Sequence, residues 1–124
     1  SMGNPSRETV TVTTDGSGDA TAYSGRLTGL IAAIRYVKAT SGSYTDGVDF
    51  AVSCEDSAMV IWDEDNVNAS TIRYPRCAVH DYAGAAISGG YSPIALFGER
   101  VKIVVASGGS AKTGTFEILL VPTG

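Results

Sequence analysis

Val101-Lys102-Ile103-Val104-Val105-Ala106 and Thr115-Phe116-Glu117-Ile118-Leu119-Leu120-Val121, joined by Ser107-Gly108-Gly109-Ser110-Ala111-Lys112-Thr113-Gly114, decide the fold. Two β-branched apolar runs around a glycine-rich connector predict a long antiparallel hairpin in the core sheet. Lys102 and Glu117 interrupt these runs, so one face is expected on the core and the other partly in water. The other segments read as shorter strands that pack on this surface.

Upstream, Glu8-Thr9-Val10-Thr11-Val12-Thr13-Thr14 alternates with period two and predicts a strand. Asp15-Gly16-Ser17-Gly18 supplies turn residues, and the weaker alternation of residues 19–24 through Ala20 and Ala22 predicts the second arm of a hairpin. Residues 27–40 fit two templates. Leu27, Leu30, Ile31, Ile34 and Val37 match a helix, whereas Leu30, Ala32, Ile34 and Tyr36 match a strand. Gly25 and Gly29 weaken the helix and the β-branched and aromatic content favours the strand, so the segment is assigned as extended. Further strands are predicted at residues 48–53, 58–62 and 71–79, the last an edge, bulged, or stopped at Pro75, which has no N–H to donate. Residues 80–98 are rich in Ala, Gly, Ser and Pro and show no clear element, a long gap for a compact domain. About eight short strands with glycine-rich turns predict an all-β fold, a β-sandwich or a jelly-roll-like small barrel.

One domain is expected from 124 residues: a polar arm at 1–7, in which Ser1 ahead of Met2 reads as a tag remnant, and a single β domain at 8–124. Nine basic and 13 acidic residues give a net charge of −4, which argues against nucleic acid or an anionic membrane as partner. The chain has no long apolar span and no secretory leader pattern, so synthesis in a cytosol is expected. In that compartment Cys54 and Cys77 read as buried free thiols, with a disulfide between adjacent strands as the alternative.

Residues that could carry chemistry lack their partners. Lys112-Thr113-Gly114 follows a glycine-rich loop, but Ala111 precedes the lysine and a strand follows, so the phosphate-binding context is missing. No Ser-x-x-Lys accompanies this triplet, as a penicillin-recognising enzyme would need. Asp63-Glu64-Asp65-Asn66 has carboxylates for calcium but not the EF-hand spacing, and reads as a solvated turn. His80 beside Asp81 supplies a base and an orienting carboxylate, with Cys77 or a serine as nucleophile, yet a lone His-Asp pair arises easily by chance. The expectation is no enzyme, no catalytic residue, no cofactor and no metal ligand.

Val10-Thr11-Val12-Thr13-Thr14-Asp15-Gly16-Ser17-Gly18-Asp19-Ala20-Thr21, Ile34-Arg35-Tyr36-Val37, Asp49-Phe50, Tyr74-Pro75-Arg76 and the run from Gly98-Glu99-Arg100 to Lys112-Thr113-Gly114-Thr115-Phe116 together resemble small proteins of tailed bacteriophages and prophages. The resemblance implies a virion structural protein of the head, a capsid decoration or cement protein or a piece near the head-tail junction, made in the bacterial cytoplasm and carried in the virion. It brings no catalytic residues. Ile87, Tyr91, Ile94, Leu96 and Phe97 lie in the stretch without a predicted strand and are expected to meet a partner surface. That partner is the major capsid protein, another virion protein, or a second copy in a closed oligomer such as a trimer. The competing reading is a carbohydrate- or host-surface-binding module of a phage appendage, with Tyr23, Tyr36, Tyr44, Trp62, Tyr74, Tyr82 and Tyr91 as stacking residues.

Overall fold

The structure is a computed structural model that describes residues 3–122. Ser1 and Met2, to which the tag-remnant expectation applies, lie outside the described residues, as do Thr123 and Gly124.

Among the described residues there are eleven strands and no helix: β1 (Ser6–Thr13), β2 (Ala20–Tyr23), β3 (Leu27–Lys38), β4 (Asp49–Cys54), β5 (Val60–Glu64), β6 (Thr71–Arg73), β7 (Arg76–His80), β8 (Ala86–Pro93), β9 (Ala95–Glu99), β10 (Val101–Ala106) and β11 (Thr113–Val121). Sheet A orders β1, β11, β3 and β6, with β9 also on β3, and sheet B orders β2, β10, β4 and β5. β7 and β8 pair with each other in a separate ribbon. β1 begins at Ser6, so Ser6 and Arg7 of the expected arm pair instead with Leu120 and Leu119.

The two sheets face each other as a β-sandwich. Val101, Ile103 and Val105 of β10 and Phe116, Ile118 and Leu120 of β11 alternate inward from opposite sides. Phe50 of β4 stands at the centre, with ring centroids 4.7 Å from Tyr36, 4.8 Å from Phe116 and 5.4 Å from Trp62, each edge to face. Such aromatic packing buries large areas per residue, which lets an 8% aromatic composition hold two short-stranded sheets together.

β10 and β11 are not a hairpin. Each is flanked by two other strands of its own sheet, β10 by β2 and β4 and β11 by β1 and β3. Their connector is an arch between the sheets: Ser107 and Ala111 take left-handed φ angles of 58° and 54°, which turn the chain out of hairpin register. The arch is tied to the loop after β1. Thr14 Oγ donates to Gly109 O (2.5 Å) and accepts from Lys112 N (2.9 Å), while Gly108 N donates to Gly18 O (2.8 Å). That loop is shaped by Asp15, whose carboxylate accepts the Asp19 and Ser17 N–H groups and is thereby held below the usual carboxylate pKa. It is an arch as well, because β1 and β2 lie in different sheets and the expected first hairpin does not form.

β3 is a strand, and its pattern explains why a helix template fitted. Register slips between Leu119 and Leu120, so that Leu119 faces Ala33 and Leu120 faces Ile31, leaving Ala32 as an extra residue. The bulge turns both Ile31 and Ile34 inward at a spacing that a regular strand forbids and a helix favours.

The far edge of β3 is shared. β9 pairs with its first half at Leu27–Leu30 and β6 with its second half at Ile34–Tyr36, so β6 and β9 act as one interrupted strand. The gap is bridged where Ile31 N donates to Ile94 O (2.8 Å). Residues 74–93 are the excursion between the two halves, and they form the ribbon. Pro75 is buried at its base, at the point where β6 has stopped.

Candidate docking surface

The ribbon begins beside the bulge, where Arg76 Nη1 lies 3.4 Å from Ala32 O. Its register sets Arg76 opposite Pro93 and Ala78 opposite Tyr91, then slips before His80 and Ala86. At its outer end Asp81 builds the turn: its Oδ1 accepts the N–H groups of Ala83 and Ala85, each at 2.9 Å, and Asp81 N donates to Ala85 O (2.8 Å). Gly84 closes the turn at φ 87°, where a side chain would be strained. Tyr82 stands on this ordered tip fully exposed.

The ribbon leaves apolar side chains in water. Tyr91 is 69% exposed, Tyr74 63% and Ile87 48%, with Phe97 on neighbouring β9 at 73%. Only Cys77, near the base, packs on the fringe of the core. An isolated two-stranded ribbon is marginal in water, so its order depends on the bulge at one end, the Asp81 turn at the other, and any surface that covers it.

The expected contact set therefore divides. Ile87, Tyr91 and Phe97 are exposed, but Ile94 and Leu96 are 1% and 0% exposed and belong to the core. The correction follows from residues 83–97 having strands of their own, β8 and β9, the second of which turns Leu96 inward against sheet B. Sequence reading gave Tyr74 and Tyr82 no place in this contact set. The signal for the tip was Asp81-Tyr82-Ala83-Gly84, an aspartate ahead of a glycine at turn spacing.

The chemistry-bearing residues are not brought together. Asp81 Oδ1 is engaged by the turn and His80 Nδ1 lies 3.1 Å from Ala78 O, so the pair is not arranged as base and orienter. Lys112 N and O are both bonded to Thr14 in the arch. Glu64 accepts Arg73 Nε (2.9 Å) and Nη2 (3.0 Å) and Trp62 Nε1 (3.0 Å), which hold its carboxyl below the usual range and tie β6 of sheet A to β5 of sheet B. Among the described residues no three His, Cys, Asp or Glu side chains gather as a metal site. Cys54 and Cys77 are both free, and burial pushes the Cys54 thiol up. Of the seven aromatics considered for stacking, Tyr36, Tyr44 and Trp62 are core, and Tyr23 lies under the Arg100 guanidinium at 4.2 Å. Tyr74, Tyr82 and Tyr91 remain, all on the ribbon or at its base.

No protein-family model and no curated protein matches the chain. A solved structure described as "Crystal Structure of FLHE" is similar in shape with a TM-score of 0.47 and 10% sequence identity, covering 96% of this chain and 99% of that one.

Proposed function

We propose that the protein is a structural subunit of a tailed-bacteriophage virion, a decoration or cement protein of the head that grips its shell through the β7–β8 ribbon. The observation that carries this reading is the Tyr82-tipped ribbon, an ordered excursion from a complete sandwich that leaves Tyr74, Ile87 and Tyr91 exposed. Rigid aromatic anchors on a projecting element suit docking into a protein surface, because burying them releases ordered water at small conformational cost. The phage resemblance supports the choice of partner.

Shells assembled from the major capsid protein of the same genome test it. Wild-type protein is expected to co-sediment with the shells, and a Tyr82→Ala/Tyr91→Ala variant with an unchanged melting temperature is expected to stay in the supernatant. Equal binding by both proteins, or by neither, would overturn the ribbon's role. The three exposed tyrosines also favour a second reading, sugar stacking by an appendage module. Saturable binding on a glycan array, abolished by the same variant, would select it.

A further inference from the structure

Charge is unevenly placed along this chain. Residues 39–72 contain seven of its 13 acids and none of its nine bases, so the remainder carries nine bases against six acids. In the fold the acidic stretch supplies β4, β5 and the turn between them. That turn is fixed from below by Glu99, which is buried and whose Oε1 accepts the Asp56 N–H (3.2 Å) and the Ser57 N–H (3.3 Å). Cys54 N donates to Met59 O and Ala58 N to Cys54 O, both at 2.9 Å. The result is a rigid knob with Met59 and Val60 exposed at 42% and 62%. Glu55 is paired with Arg100, but Asp56 and Asp63 are exposed and have no ion pair among the described residues.

The opposite sign collects on the outward face of sheet A. Thr9, Glu117, Arg35 and Ile72 form one row across β1, β11, β3 and β6. Arg35 Nε lies 2.8 Å from Glu117 Oε1 and Arg7 Nη1 3.5 Å from Oε2, so two guanidinium groups share one carboxylate. Glu117 Oε1 is buried without an aligned hydrogen bond, so charge rather than geometry holds this trio. Beside Arg35 the face is hollow, about 370 Å³ between Arg35, Val37, Thr71 and Ile72. Apolar flooring with an arginine rim is the complement of an apolar knob with a carboxylate rim.

We propose that these two surfaces bind each other in successive copies. The Met59-Val60 knob of one copy seats in the hollow beside Arg35 of the next, with Asp56 and Asp63 facing Arg35 and Arg7. The contact joins different patches, so it adds copies head to tail and ends either in a closed ring or in an open filament. It uses neither the ribbon nor the virion reading, and stands or falls separately from both. Exposed charges are screened as salt rises, so the association weakens accordingly.

Sedimentation velocity over a range of protein concentrations, in about 20 mM and about 0.5 M salt, tests it with three variants. Asp56→Lys/Asp63→Lys alters the knob, Arg7→Gln/Arg35→Gln alters the rim, and Ile72→Asp alters the hollow while leaving the partners of Glu117 in place. Wild type is expected to grow beyond a dimer in low salt and to revert to monomer in high salt. Each variant alone is expected to stay monomeric. A mixture of the knob variant with either face variant is expected to stop at a one-to-one dimer, since each contributes one intact surface. Wild type that is monomeric throughout, variants that assemble alone, or a mixture that stays monomeric or grows past two would each overturn the proposal.

Discussion

Tyr44 reaches across the interior from the loop before β4, and its hydroxyl donates to Val12 O at 2.6 Å. Burial, with the neighbouring Tyr36 ring adding to it, pushes its pKa well above the ordinary value of 10.0, and burial moves Tyr36 in the same direction. Above about pH 10 the unfolded chain releases these protons while the folded chain retains them, so stability is complete below that pH and falls as pH rises toward the folded values. Tyr44→Phe is expected to cost about 1 kcal/mol at neutral pH through the lost hydrogen bond. It should also lose less stability between pH 9 and pH 11 than wild type, as read from urea midpoints. The same ring limits Gly114, whose added Cβ would stand 2.5 Å from a Tyr44 ring carbon and 2.8 Å from one of Tyr36. Gly114→Ala is therefore expected to destabilise by about 1–3 kcal/mol through overpacking, measured by thermal or urea unfolding. None of this was legible in the sequence, where Gly114 is one more glycine in a flexible-looking connector and Tyr44 one more tyrosine in a loop.

β10 and β11 show what alternation reveals and what it hides. Period two placed Ile103 and Ile118 on inward faces, and both are buried at 0% and 1% exposure. Replacing either with Ala is expected to cost about 2–5 kcal/mol in urea unfolding. Which strand each one pairs with was not legible, because pairing depends on left-handed residues such as Ser107 and Ala111 that no local rule foretells. The eight-residue connector was itself a warning, being longer than the two to five residues of most hairpins. β3 misled in the other direction, its bulge at Ala32 writing a helical spacing into a strand. The ribbon was read only in part: β7 fell largely within the strand expected at 71–79, while β8 was missed because its side chains are exposed or half-exposed throughout and carry no apolar period. It is predicted to be removable. Arg73 and Ile94 are both held against β3, at Ile34 and Ile31, three residues apart along it or roughly 10 Å. Replacing 74–93 with a short glycine-serine linker is expected to leave a cooperative unfolding transition and the amide protection of sheet B intact. A chain that no longer folded would show instead that the ribbon belongs to the sandwich.

Through the first five strands the chain changes sheet at every step except from β4 to β5, and it closes with β9 in sheet A, β10 in sheet B and β11 in sheet A. The all-β class was legible from composition, since 15 glycines and low charge fit many turns around a modest core. The partition into two sheets was not, because it is a property of long-range pairing. That partition has a consequence for how the protein is made. β11 lies between β1 and β3, so the central strand of sheet A is the last of the eleven to leave the ribosome. Until then β1 and β3 emerge without the strand that joins them, and the inward side chains of β3 have no finished sheet behind them. Folding is thus expected to wait until β11 has been made, and nascent chains stalled before Thr113 should be protease-sensitive and bound by chaperones. Chains in which Val121 has emerged should become resistant in one step, which makes assembly of this domain an event timed by a single strand.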